Sequence, residues 1–174
     1  MRLRPYINET DYQYLEKWID SERLHALWCA NLIPYPLSKE GLEETLTGDA
    51  VKWEANAFVA TENTGTPVGF FSYSVNHSEN SGFLRYIVLD KEKRGAGLGR
   101  QMLALALKYA FEITDVSLVS LNVFDVNEKA RKCYAKVGFS EKNVTENSFS
   151  FGNEKWGRCH LEIGADDLPC KCSG

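Results

Sequence analysis

The sequence predicts a single α/β domain built on a mixed, mostly antiparallel sheet with one parallel strand pair. Three observations carry this. Helical periodicity dominates residues 9–46, and strand-like segments take over from residue 57. Short turns rich in Gly, Asn, Ser and Thr (residues 63–66 and 76–81) then join three strands closely enough for an antiparallel meander. Finally, a helix connects two apolar strands, which is the pattern of a right-handed parallel crossover.

Residues 1–7 (MRLRPYI) form the first strand. A helix follows over 9–20, with Leu15, Trp18 and Ile19 at helical spacing. Ser21 is placed to cap a second helix carrying Leu24, Leu27, Trp28 and Asn31, which Pro34 and Pro36 end. Ser38 caps a third through Leu42 and Leu46. Residues 57–61, 67–75 and 83–89 read as strands. The helix over 98–111 is apolar on most sides, so it packs into the interior. A strand over 117–124 and a helix over 127–137, stopped by Gly138, come next. The last element is a hairpin, 149–151 and 155–163, around Gly152-Asn153. Its second arm sets Cys159, Leu161 and Ile163 on one side and Arg158, His160 and Glu162 on the other. The domain spans residues 1–164, and residues 165–174 are expected to be a flexible polar tail.

A chain of 174 residues with 44% hydrophobic and 25% charged content has the make-up of one soluble globular domain. No apolar stretch approaches the ~18 residues that cross a bilayer, and the N-terminus lacks a signal-like apolar region. No membrane association and a cytoplasmic location are therefore expected. The net charge of −4 weighs against nucleic acid and suits a cationic acceptor such as an amine. Five scattered cysteines supply no paired Cys-x-x-Cys ligands, so reduced thiols and no metal are expected. Cys170 and Cys172 in the tail are assigned no role.

The chemistry concentrates in Arg94-Gly95-Ala96-Gly97-Leu98-Gly99, set between an apolar strand and a helix. Three alternate glycines leave backbone amides uncovered, and the helix N-terminus behind them points its free N–H groups at any anion that approaches. A Walker-type loop needs Gly-Lys-Ser/Thr, which is absent. A dinucleotide fingerprint needs its third glycine where Arg100 stands, close to the first strand of the fold. Both nucleotide loops fail on spacing.

Arg-x-x-Gly-x-Gly after an apolar strand resembles the acetyl-CoA motif of the GCN5-related N-acetyltransferase (GNAT) superfamily, with Arg94, Gly97 and Gly99 matching. A second segment agrees in register: Asn127, Ala130, Tyr134, Gly138 and Phe139 are similar to the family's Asn-x-x-Ala-x-x-x-Tyr-x-x-x-Gly-Phe. The opening Leu3-Arg4-Pro5 looks like the branch of the ribosomal-protein alanine acetyltransferases. The resemblance covers residues 2–163 and implies a six- to seven-stranded sheet flanked by helices, with a splayed central parallel pair.

It also implies site residues. The pantetheine arm of acetyl-CoA would lie along the backbone of Ile87, Val88 and Leu89 like an added strand. The pyrophosphate would sit on the amides of Arg94, Gly95, Ala96, Gly97, Leu98, Gly99 and Arg100, the two arginines adding charge. An N–H near Val88 would polarise the thioester carbonyl. Asn127 would contact the CoA arm, and Tyr134, seven residues on and so on the same helix side, would be the general acid at sulfur. Read without the family, Asn127 is equally a helix cap and Tyr134 a packed aromatic.

The acceptor side is open. Trp28, Tyr35, Trp53, Tyr73 and Trp156 are candidates for an aromatic wall, although core packing is the better reading of each one taken singly. Arg85 interrupts an apolar run and implies either a structural ion pair or a site for an anion on the acceptor. No carboxylate stands early in residues 82–86, where many relatives carry their base. Glu79, Glu54, Glu162 or a bound water are the alternatives. His25, His77 and His160 read as structural or exposed. The expected activity is acetyl transfer from acetyl-CoA to a primary amine (a protein N-terminus, a lysine, a polyamine or a small amine) in a ternary complex, with a homodimer possible. An acyl-CoA-binding sensor without turnover is the alternative.

Overall fold

The computed structural model describes residues 1–167. The chain runs β1 (Arg2–Pro5), α1 (Asn8–Trp18), α2 (Glu22–Cys29), α3 (Lys39–Trp53), β2 (Asn56–Thr61), β3 (Pro67–Asn76), β4 (Ser81–Leu89), α4 (Leu98–Glu112), β5 (Leu118–Phe124), α5 (Glu128–Val137), β6 (Ser140–Phe151) and β7 (Glu154–Gly164). The seven strands form one sheet in the order β1-β2-β3-β4-β5-β7-β6. All neighbours are antiparallel except β4 and β5. The mixed sheet with its parallel centre is the one anticipated.

Helices cover both faces. Met102, Leu103, Ala106, Leu107 and Ala110 line α4 against one face, where Tyr134 and Val137 of α5 join the same core. Leu15 and Trp18 of α1, Trp28 and Cys29 of α2 and Leu42 of α3 cover part of the other face, above Phe70, Tyr86 and Val88. Each fully buried leucine in these layers contributes roughly 1.5–3 kcal/mol of transfer free energy.

Local sequence explains the boundaries. Ser21 and Ser38 accept hydrogen bonds from Leu24 N and Gly41 N, as caps should. The second helix is shorter than its periodicity suggests. It ends at Cys29 because Ala30 and Asn31 adopt left-handed conformations (φ 52° and 56°), ahead of the prolines expected to stop it. β6 is much longer than the three residues anticipated. Its residues 140–148 are exposed on both faces at the sheet edge, so no apolar alternation marks them. Beyond β7, Ala165–Asp167 make a 3₁₀ turn, with Ala165 N donating to Ser117 O. Cys170 and Cys172, with the rest of the tail, lie outside the described residues.

Candidate active site

The site begins with a break in pairing. β4 and β5 are in register only over residues 81–84 and 118–121. Past Leu84 the strands part, and the β5-facing backbone of residues 87–89 has no strand opposite it. A bulge in β4 accompanies this. Val88 opposes Phe70 and Arg85 opposes Ser72, so Tyr86 and Ile87 together face Phe71. Tyr86 takes the extra turn at φ 52°, a conformation unfavourable for a non-glycine residue. The bulge also switches faces: Leu84 is buried against α4, whereas Tyr86 is buried among α1–α3.

Three contacts hold Tyr86. The Trp28 indole N–H donates to its carbonyl at 2.7 Å, its hydroxyl donates to Asp49 Oδ2 at 3.0 Å, and the Trp28 ring lies 5.8 Å from its own. Burial, reinforced by the Asp49 carboxylate, raises its hydroxyl far above the usual tyrosine range.

After β4, residues 91–93 make a 3₁₀ turn and Arg94 is extended, its guanidinium donating to Leu89 O at 3.2 Å. Gly97 is the N-cap of α4 at φ 81°, a conformation that needs glycine, and no side chain caps the helix. The amides of the first turn therefore have no intrahelical acceptor, and Gln101 N is the first to find one, at Gly97 O. Gly99 is required for space. A Cβ there would lie 2.8 Å from Leu89 Cδ1 and 3.4 Å from Cys133 Sγ, so β4, α4 and α5 converge on it.

Residues 94–100 thus form a cradle of free N–H groups with Arg94 and Arg100 beside it, and the open strand edge leads away from it. A diphosphate on a long hydrogen-bonding arm fits both parts.

Asn127 and Tyr134 come from α5. Asn127 is the helix cap, its Oδ1 accepting from Ala130 N at 3.3 Å, which leaves the amide N–H₂ uncommitted. Tyr134 is buried, edge-on to Phe139 at 6.1 Å, and its neighbour Cys133 touches the start of α4 through Gly99. Burial, with a smaller effect from Cys133, pushes its hydroxyl well above the usual range. Among the described residues that hydroxyl has no hydrogen-bond partner.

The opposite face at the same level carries Arg85, Asn122, His160 and Glu162. His160 Nδ1 lies 2.9 Å from Asn122 Oδ1 and Nε2 lies 3.1 Å from Glu162 Oε1. Asn122 is the first β5 residue beyond the β4 pairing, and His160 is its partner on β7. This array was missed in the sequence. The alternation of His160 and Glu162 was visible, but nothing local put Asn122 opposite them.

The remaining expectations divide. Glu54 and His77 pair at 3.1 Å on the surface. Glu79 is exposed in the β3–β4 turn, so Glu162 is the one of the three carboxylates that reaches this face. Trp28 is committed to Tyr86. Tyr35 is half-exposed and edge-on to His25, whose pKa burial lowers. Trp53 stacks with Arg85. Trp156 is buried with Phe124, Phe149 and Phe151. Tyr73 corrects the aromatic wall, because it lies on the α4 face with its hydroxyl 2.8 Å from Thr114 Oγ1. β3 is buried through eight successive residues, so alternation could not reveal which way Tyr73 faces. Among the described residues no group of three His, Cys, Asp or Glu side chains is placed for a metal, and no helix is long and apolar enough to cross a membrane.

A parted strand pair leading to an uncapped, glycine-started helix makes this a protein built to hold an anionic group on an extended arm. The sequence profile of the acetyltransferase (GNAT) family matches residues 21–139, and the chain belongs to that family. It is an acetyl-CoA-dependent N-acetyltransferase. It is 30% identical over 135 residues to the peptidyl-lysine N-acetyltransferase YjaB of Escherichia coli, covering 73% of this chain and 80% of that one. An uncharacterised N-acetyltransferase of Methanocaldococcus jannaschii is 26% identical over 99 residues, covering 57% of this chain and 62% of that one. Among solved structures, spermidine N-acetyltransferase of Vibrio cholerae in complex with CoA and spermine superposes with a TM-score of 0.81 at 22% identity, covering 95% and 96% of the two chains.

Proposed function

We propose that the protein acetylates a primary amine by direct attack on the thioester of acetyl-CoA, both substrates being bound together. Acetyl-CoA supplies the activated acetyl group. The residues 94–100 cradle takes its pyrophosphate, residues 87–89 and the Asn127 amide take the arm, and the bulge aims a β4 N–H at the carbonyl oxygen. On the other face His160 donates Nε2–H to Glu162, so its Nδ1, exchanging the Asn122 amide for the amine, is the atom that accepts the ammonium proton. Tyr134 gives its proton to the leaving thiolate.

The observation that carries this reading is the splay itself, with an unpartnered tyrosine hydroxyl on α5 that keeps an opening to solvent and a hydrogen-bonded imidazole on the other face. A relative named as a peptidyl-lysine acetyltransferase and a structural neighbour named for spermidine both support an amine acceptor. The sensor alternative drew on the missing strand carboxylate, and the His160–Glu162 pair supplies a base without one. Free-thiol release from acetyl-CoA across a panel of amines tests the reading. Acceleration by an amine, lowered in kcat by His160→Gln while acetyl-CoA still stabilises the variant, is expected. Tight acetyl-CoA binding with no amine-dependent release would leave only the sensor.

A further inference from the structure

Arg85 is the charge that the proposed mechanism leaves unused. It follows the last β4–β5 pair, Leu84 with Leu121, and so stands level with Asn122 and His160 across three strands. All three alternate with residues of the α4-side core, namely Leu84, Leu121 and Leu161, so they share the acceptor face.

The Arg85 guanidinium is 4.8 Å from the Phe83 ring centroid and 5.4 Å from that of Trp53. Its hydrogen bond, to Ser74 Oγ, is long at 3.5 Å. Among the described residues it forms no ion pair, and the Asp49 carboxylate of α3 accepts from the Tyr86 hydroxyl instead. The structural ion pair that a half-buried arginine ordinarily requires is therefore missing. Two aromatic rings lie against the guanidinium, and among the described residues its one hydrogen bond comes from Nη1, which leaves N–H groups along its edge without a partner. That edge is a fork matched to two oxygens of one anion.

We propose that Arg85 is an acceptor subsite for an oxyanion, so that the amine acetylated here also carries a carboxylate or a phosphate. The inference rests on the acetyltransferase reading above and narrows its substrate class. His160 and Glu162 receive the ammonium end, and Arg85 receives the anionic end one strand beyond Asn122. A guanidinium held at this point repels an acceptor that is cationic throughout.

The experiment uses matched amines that differ in the anion alone. Ornithine against putrescine and lysine against cadaverine probe a carboxylate, and phosphoethanolamine against ethanolamine probes a phosphate. Amine-dependent thiol release is expected to favour the anionic member of at least one pair by about ten- to a hundredfold in kcat/KM, the range of a charged bidentate contact. Arg85→Gln should erase that preference through KM, with acetyl-CoA stabilisation unchanged, and Arg85→Lys should restore part of it. Turnover without any preference for the anionic member overturns the inference alone. Equal losses by Arg85→Gln for anionic and non-anionic acceptors also overturn it, reducing Arg85 to support for Trp53. If no amine accelerates release while acetyl-CoA still binds, the acetyltransferase reading falls and this inference with it.

Discussion

A tyrosine hydroxyl is a weak acid, and burial makes Tyr134 weaker still. The group therefore stays protonated through neutral and mildly alkaline pH, which is the state a proton donor needs. A thiol leaving group with a pKa near 8.5 demands only modest help. Tyr134→Phe is thus expected to lower kcat by about ten- to a hundredfold, with acetyl-CoA binding unchanged. Because the folded pKa is raised, the hydroxyl does not ionise between about pH 7 and 9. Profiles of kcat against pH should have the same shape in wild type and variant across that window, and a limb lost in the variant would contradict the assignment. Single residues also mark what the sequence displayed. Gly97, Gly99, Asn127 and Tyr134 were legible because each sits at a fixed spacing from the next. Asn127 is both a cap and a free amide donor, so its two readings describe different atoms of one side chain. His160 was not legible, because its partner lies 38 residues away on another strand.

Among elements, α1 illustrates a short helix held by its own end. Arg4 of β1 makes two hydrogen bonds to Asp11, at 2.6 and 2.7 Å, and Asp11 reaches back to accept from Ile7 N at 2.9 Å. Burial acts to raise the Asp11 pKa, but the Arg4 and Ile7 hydrogen bonds outweigh it and the pKa is lowered. A carboxylate whose folded pKa lies below its unfolded one stabilises fully above the unfolded value, near 4, and loses that contribution as pH falls through the folded one. Asp11→Asn should cost about 1–2 kcal/mol at neutral pH, since Arg4 is partly in water, and should flatten the acid limb of a stability curve. Chemical denaturation from neutral pH down to about pH 3 measures both. Helices were the readable elements because their caps and periods are local. The β4 bulge was invisible, since an apolar run such as FLRYIVL contains no glycine or proline to announce it. Edge strand β6 was hidden for the opposite reason, having almost no buried side chains.

For the whole molecule, the α1–α3 layer and the bulged strand β4, to which the proposed mechanism assigns the donor, are not independent. Trp28 of α2 holds the carbonyl of Tyr86, the residue that makes β4 bulge. Arg23 of the same helix pairs with Glu154 at the hairpin and lies over the Trp156 and Phe151 rings. One helix therefore spans the bulged strand and the final hairpin. Trp28→Phe would leave a buried carbonyl unpartnered, at about 1–3 kcal/mol. It should lower the melting temperature and raise KM for acetyl-CoA as well as for the acceptor. An unchanged KM for acetyl-CoA would mean that Trp28 only fills space.

The aromatic stack on Arg85 also has an optical consequence. Of the four tryptophans, Trp18, Trp28 and Trp156 are 2%, 8% and 0% exposed, while Trp53 is 45% exposed. A dissolved collisional quencher will reach Trp53 in preference to the other three. Intrinsic fluorescence thus holds one accessible emitter, stacked on the guanidinium of the acceptor face, and an acceptor that draws Arg85 toward itself will change the emission without any added label.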